Sequence, residues 1–254
     1  MSETYEMSRP IVHDAQMARV LALVETTLAK WDWTQNPYFI GLRRGAFDRD
    51  DFVETQIQFF WSVTFFSRPM ALLVAKIPRT GQRVEVLRNV WEEHGQGNTR
   101  LSHTATFIEF LNRLDGLSEA EIEARVLWPE VRAFNSALVG ACLLDEWLVG
   151  AATLGIIERM FTHISGELGM SIVKNGWLPA DRMVHYDLHQ SLDVRHSHDF
   201  FAAVASGLGR GDDDYYVEQG LMQGATLFFE LYASLYRHRA RRWIRRQRTP
   251  HVRS

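Results

Sequence analysis

The chain has 254 residues, 46% hydrophobic and 23% charged, with a net charge of −3. That is the balance of an ordinary globular protein, and it lacks the basic excess that a nucleic-acid partner requires. A single cysteine, Cys142, excludes an intramolecular disulfide and a cysteine-based metal site, and fits a reducing, cytoplasmic setting. In chain order, the N-terminal segment lacks an apolar signal core and no stretch reaches the ~20 apolar residues of a membrane span. Residues 1–10 and 247–254 are expected to be loose. A helix is predicted from about Val12 to Lys30, with Leu21, Leu23, Val24 and Leu28 on its apolar side. Asn36-Pro37-Tyr38-Phe39 reads as a break and a short turn or helix. A long helix from about Asp51 to Ile77, capped by Asp50 or Asp51, carries Phe52, Phe59, Phe60, Trp61, Phe65 and Phe66 and is closed by Pro78. The segment from about Gln82 to Leu114 has a helical pattern that Gly95 and Gly97 weaken.

Ser118-Glu-Ala-Glu121 is a capping box opening a shorter helix. Helices follow at about Pro129–Trp147, Val149–Val173 and Asp181–Ser206. A last helix starts near Asp212–Asp214, whose acids suit an N-terminus, and runs to about Arg246. No strand alternation, internal repeat or dividing linker is present. The reading is an all-α bundle of about seven helices in one domain, 1–254.

The chemistry concentrates in His185-Tyr-Asp-Leu-His189-Gln-Ser-Leu-Asp193-Val-Arg-His196-Ser-His198-Asp199. At about 100° per residue, His189, Asp193 and His196 fall within about 60° of one another on one helix face. Two imidazoles and a carboxylate suit iron, manganese or zinc. The plain alternative, a histidine-rich surface helix, gives these residues no reason to align. Two further segments offer ligands. Glu93 and His103 lie about 80° apart on an ideal helix, and the Gly95-x-Gly97 break supplies a means of rotating them together; a solvated Glu and a surface His remain the alternative. Glu158 follows the apolar run Leu148–Ile157, where an ionised carboxylate is costly unless paired or metal-bound; a salt bridge to Arg159 or another Arg is the alternative. The combined set is Glu93, His103, Glu158, His189, Asp193 and His196. Three carboxylates and three imidazoles can hold two iron ions with open positions for dioxygen.

This pattern resembles the haem-oxygenase-like diiron oxidases and oxygenases, also called iron-containing redox enzymes and related in fold to TenA-like and PqqC-like proteins. The family signature is Glu, a His seven to ten residues later, a Glu on a middle helix, then His-x-x-x-Asp-x-x-His. Here it reads Glu93, His103, Glu158 and His189-Gln-Ser-Leu-Asp193-Val-Arg-His196. Asn36-Pro-Tyr-Phe39, Phe59-Phe-Trp, Phe66-Ser-Arg-Pro69 and Asn89-Val-Trp-Glu-Glu93-His-Gly-Gln-Gly97 extend the resemblance, which covers roughly Asn36 to Ser206 and a similar last helix. It implies a seven-helix haem-oxygenase-like bundle, commonly dimeric, with two Fe(II) ions per chain, dioxygen as co-substrate and an external electron donor. Glu93, His103 and His196 would serve mainly one iron, and Glu158, His189 and Asp193 the other. Glu93 or Glu158 would bridge them. All six are then metal-binding and catalytic residues.

The segment Trp61–Ser67 holds no carboxylate where N-oxygenating members carry an extra Glu ligand. Phe39 and Leu168 align with the tyrosine and lysine of the branch that consumes its own side chains; Tyr38 and Lys174 are only neighbours. What remains is C–H or C–C oxidation of a small amino-acid-like or carboxylate molecule. Its apolar tail would lie among Phe59, Trp61, Phe66 and Phe107, and its carboxylate against an arginine such as Arg195 or Arg132. His185 would orient a ligand, Tyr186 would pack, and His94 and His198 would point elsewhere. Three rival readings stand beside this one. A thiaminase-like hydrolase of the same fold would use Cys142, more simply a buried hydrophobe. A haem protein would use His13. A non-catalytic iron- or partner-binding protein would use the C-terminal arginines 237, 239, 241, 242, 245, 246, 248 and 253, more simply a solvated helix end.

Overall fold

A computed structural model describes residues 14–209 and 211–241, without the side chains of Asp14 and 187–193. The described chain is all-α, with ten α-helices rather than the expected seven. The expected end segments, and the beginning of the first helix, lie outside the described residues, as does the chain beyond 241.

Helix α1 (Asp14–Lys30) buries Val20, Val24 and Thr27, while Leu21 faces out. Asn36 caps α2 (Pro37–Arg43), its side chain accepting from the Tyr38 amide, and this short helix is the first of the extra elements. Helix α3 (Arg49–Lys76) is capped by Asp48, whose Oδ1 accepts from the Asp51 amide at 2.7 Å; the cap therefore precedes the expected Asp50 or Asp51. Its end at Lys76 follows from Pro78, which pushes the preceding residue out of the helical region. Among the described helices α3 alone is long and apolar enough to cross a membrane; half of its apolar window is buried inside the protein, as in a core helix.

The expected helix Gln82–Leu114 is two helices, α4 (Thr80–Glu93) and α5 (His103–Asp115), joined by two 3₁₀ turns. Gly95 and Gly97 sit at φ +69° and +88°, and Gln96 at +54°, where a helix cannot continue. The capping box at Ser118 forms as read and opens the five-residue α6 (Glu119–Glu123). Then come α7 (Pro129–Leu143), α8 (Trp147–Lys174), α9 (His185–Gly207) and α10 (Asp213–His238).

The centre of the packing is α8, which lies against α9 on one side and α10 on the other. Small residues allow this close approach. A Cβ on Gly220 would stand 2.4 Å from the Val149 carbonyl oxygen, and one on Gly224 2.5 Å from that of Thr153, so only hydrogen fits there. On the other side Gly155 of α8 meets Phe200 and Phe201 of α9. The result holds Glu158 in register with α9. Helix α4 packs on α9, and α3 on α4, α5 and α7.

Where α4 meets α9, Asp199 is buried at 7% exposure and its Oδ2 has no hydrogen-bond partner among the described residues. Burial, and then the neighbouring Glu85, push its carboxyl above the usual carboxylate range. The folded state thus disfavours the ionised form. The penalty is absent below the unfolded value of about 3.9 and complete once the pH exceeds the raised folded value. Asp199→Asn is expected to stabilise the protein at pH 7 by about 1 kcal/mol, raising Tm by about 2–4 °C. The gain should vanish at pH 3.5 in a thermal melt; an equal gain at both values would refute it.

Candidate metal centre

Four of the six expected ligands have described side chains, and the fold brings all four together from four different helices. Glu93 is the last residue of α4 and His103 the first of α5, and His103 Nδ1 stands 2.7 Å from Glu93 Oε2. His196 Nδ1 lies 3.9 Å from Glu93 Oε1 and 3.8 Å from Glu158 Oε1. Glu93, Glu158 and His196 can each present a ligand atom within 4.8 Å of the other two. Their exposures are 6%, 5% and 0%, and that of His103 is 8%. Two carboxylates and an imidazole gathered out of water form a donor set that suits iron and calls for a cation between them.

The helical backbone of α9 carries residues 189, 193 and 196 on one face, as the spacing requires. The side chains of His189 and Asp193 lie outside the described residues.

Glu158 projects from the middle of α8, and Arg159 beside it pairs with Glu25 at 3.7 Å, so the adjacent arginine is not its counterion. The link between Glu93 and His103 depends on Gly95: a Cβ there would stand 2.7 Å from the Ser102 nitrogen and 2.8 Å from the Leu101 carbonyl carbon. Ser102 in turn starts α5, its Oγ accepting from the Ala105 amide at 3.2 Å.

Glu92 is a residue that sequence reasoning did not single out. His196 Nε2 makes a 2.8 Å hydrogen bond to Glu92 Oε2, and Arg195 reaches the same oxygen at 2.5 Å. Burial pushes the Glu92 carboxyl up, but the hydrogen bond and charge of His196, followed by those of Arg195, outweigh it and hold the carboxyl below its usual range. With Nε2 held by Glu92, the ring turns Nδ1 toward Glu93 and Glu158. Glu92 and Glu93 adjoin in sequence and turn about 100° apart on α4, which places them on two sides of one imidazole.

His185 is fully buried one turn before residue 189, its Nδ1 3.1 Å from Thr106 Oγ1 and its ring 6.2 Å from that of His103. Tyr186 is buried and packs on Phe110 at 5.2 Å. His94 is exposed, its Nδ1 2.7 Å from the Val90 carbonyl, and His198 is exposed beside Asp199. His13 lies outside the described residues.

A pocket of about 410 Å³, counting its open mouth, opens onto Glu93, His103 and Glu158. Its walls are Phe59, Val63, Phe66, Phe134, Ile157 and Phe161, with one hydroxyl, that of Ser62. Ser62 is 3% exposed, and its Oγ has no hydrogen-bond partner among the described residues. Two of the expected wall residues belong elsewhere. Phe107 is buried behind the site, 4.5 Å from the His185 ring, and Trp61 faces another pocket because it lies one residue off the stripe Phe59–Ser62–Phe66. Neither expected arginine lines the metal-side pocket: Arg195 is bound to Glu92, and Arg132 lines the pocket of Trp61.

Cys142 is fully buried in the core, and burial pushes its thiol up to about 12. A thiol so held is a weak nucleophile, and it does not line the metal-side pocket. The described C-terminal arginines have internal partners: Arg237 with Glu230 at 3.2 Å, Arg239 with Asp51 at 3.8 Å and Arg241 with Glu130 at 3.2 Å. The remaining arginines of that run lie outside the described residues.

The model of a family described as iron-containing redox enzymes matches residues 53–246, a span that includes every residue of this centre. The chain belongs to that family. It is an iron-containing oxidoreductase by family, with a haem-oxygenase-like fold and a buried possible metal site. No curated protein matches its sequence. Among solved structures, a CADD-like protein of unknown function from Nostoc punctiforme PCC 73102 is similar over 88% of this chain and 98% of its own, at 14% identity and TM-score 0.71. A domain of unknown function with a heme oxygenase-like fold from Shewanella denitrificans OS217 is similar over 90% and 94%, at 12% identity and TM-score 0.69. A TenA homologue from P. horikoshii OT3 is similar over 87% and 98%, at 12% identity and TM-score 0.65. At these identities the likeness is one of fold.

Proposed function

We propose that this iron-containing redox enzyme is a non-haem diiron oxidase or oxygenase. It would use dioxygen to oxidise a C–H or C–C bond of a small organic molecule in a biosynthetic step. The observation that supports this reading is the buried Glu93–Glu158–His196 cluster at the base of an apolar pocket, with His103 2.7 Å from Glu93. His189 and Asp193, on the same face of α9, complete a six-ligand set for two Fe(II) ions. Iron bound there supplies the electrons and the Lewis acidity for dioxygen chemistry.

The protein's own part is to hold, orient and dry the site. The carboxylates of Glu93 and Glu158 offset the metal charge, and Glu92 fixes the tautomer and angle of His196. The phenyl rings of Phe59, Phe66, Phe134 and Phe161 exclude water and bind the apolar body of the substrate. An amino-acid-like or carboxylate substrate finds neither Arg nor Lys among the described lining residues, so its carboxylate would be met by the metal itself. An external electron donor, a homodimeric assembly and a cytoplasmic location belong to the same proposal, the last supported by the lone buried cysteine.

The test is an anaerobic Fe(II) titration of the wild type and His196→Ala, followed by rapid mixing with dioxygen under optical detection. The expected result is an uptake near two irons per chain and an oxygen-dependent absorbance transient; the variant should lose the iron that His196 serves, and the transient with it. Uptake of a single iron would overturn the diiron assignment. No uptake and no oxygen reactivity would overturn the whole reading.

A further inference from the structure

A second pocket lies between α3 and α7, away from the metal. On α3 it is lined by Trp61, Phe65 and Arg68, while the metal-side pocket takes Phe59, Ser62, Val63 and Phe66. At about 100° per residue these two sets lie on roughly opposite faces of the helix, so the two pockets are separate. From α7 come Arg132 and Asn135, and Leu127 closes one side.

Three features of this pocket point to a ligand. First, the guanidiniums of Arg68 and Arg132 make no ion pair or hydrogen bond with any described residue, and no carboxylate lines the pocket. Elsewhere Arg49, Arg88, Arg113, Arg125 and Arg241 each pair with an acid. Two exposed guanidiniums lining one concavity can meet an anion from two sides. Second, the walls are aromatic. Trp61 and Phe65 flank the opening, and the Arg68 guanidinium lies over the Phe65 ring at 5.4 Å, which leaves its N–H edge free to meet a planar acid group. Third, Asn135 at the floor is 8% exposed. Its Nδ2 donates to the Trp61 carbonyl at 3.1 Å, and its Oδ1 has no hydrogen-bond partner among the described residues.

We propose that this pocket binds a small aromatic anion: a carboxylate or phosphate gripped by Arg68 and Arg132, on a flat ring held between Trp61 and Phe65. The site is independent of the metal and of the reaction proposed above.

The test uses 4-fluorobenzoate as the probe, followed by ¹⁹F NMR titration of the full chain, with 4-fluorobenzyl alcohol as the uncharged analogue. Arg68→Gln/Arg132→Gln changes two exposed side chains and leaves the core intact. The acid is expected to bind the wild type, and the double variant at least tenfold more weakly, while the alcohol binds neither. Phe66→Trp, which narrows the metal-side pocket, is expected to leave binding of the acid unchanged. Undiminished binding to the arginine double variant, equal binding of the alcohol, or loss of binding only in Phe66→Trp would each overturn the proposal. The last outcome would place the probe beside the metal.

Discussion

Glu158→Gln is expected to bind Fe(II) about 100-fold more weakly than the wild type, at or beyond the upper end of what loss of an outer-shell partner costs. The substitution keeps the length and branching of a side chain that is 5% exposed at the centre of α8, so the helix packing is retained. What it removes is one of the two carboxylates that His196 Nδ1 faces. A neutral amide offers a single weak oxygen and no charge to offset the metal. Competition with a chelator of known affinity under anaerobic conditions measures the loss. Circular dichroism should be unchanged, and the apo-protein melting temperature should not fall. An affinity equal to wild type would remove Glu158 from the ligand set.

The second large effect is expected at a residue that touches no metal. Glu92→Ala should weaken Fe(II) binding by about 10–100-fold, the range reported for loss of an outer-shell partner. The cause is geometric. Without the 2.8 Å bond to Nε2, the His196 ring can rotate, and either tautomer becomes available. Glu92→Gln keeps an acceptor for Nε2–H but loses the negative charge, so it should fall between wild type and Ala. That ordering separates positioning from bulk packing, because Gln and Glu fill the same volume. If Gln and Ala bind iron alike, the charge and not the geometry is what matters. If both bind as wild type does, Glu92 plays no part. Arg195, at 43% side-chain exposure, reaches solvent when its partner is lost and should not unfold the chain.

Much of this was legible in the sequence, and the parts that were not share a physical reason. Spacing within one helix is a local property. His189, Asp193 and His196 therefore fall on one face of α9 as their intervals require, and Ser118 with Glu121 forms its capping box. The Gly95-x-Gly97 pair also carried a readable signal, since two glycines inside a helical pattern announce left-handed backbone, and the helix does stop there. What faces what across helices is not local. Trp61 and Phe107 carry the same apolar label as Phe59 and Phe66, yet only the packing of α3 on α5 and α7 decides which rings line the pocket and which fill the core. Arg132 and Arg195 were equally plausible clamps, and they diverge because α7 and α9 turn them to different places. Glu92 was hidden beside Glu93. Two consecutive acids usually mean one inside and one outside, and both are buried here only because His196 lies between them.

The joint between α4 and α5 also bears on how such a site can diverge over time. Glu93 ends one helix and His103 begins the next, so their separation is set by turns and not by a helical repeat. Adding or removing a residue in that joint rotates neither ligand about its own helix axis. The same change inside α9 would swing everything after it by about 100° and scatter residues 189, 193 and 196 around the helix. Insertions and deletions should therefore be better tolerated between the first two ligands, where Gly95 and its close contacts are kept, than between the last three. A rigid search pattern will find the α9 half of the site in distant relatives and miss the half at the α4–α5 joint.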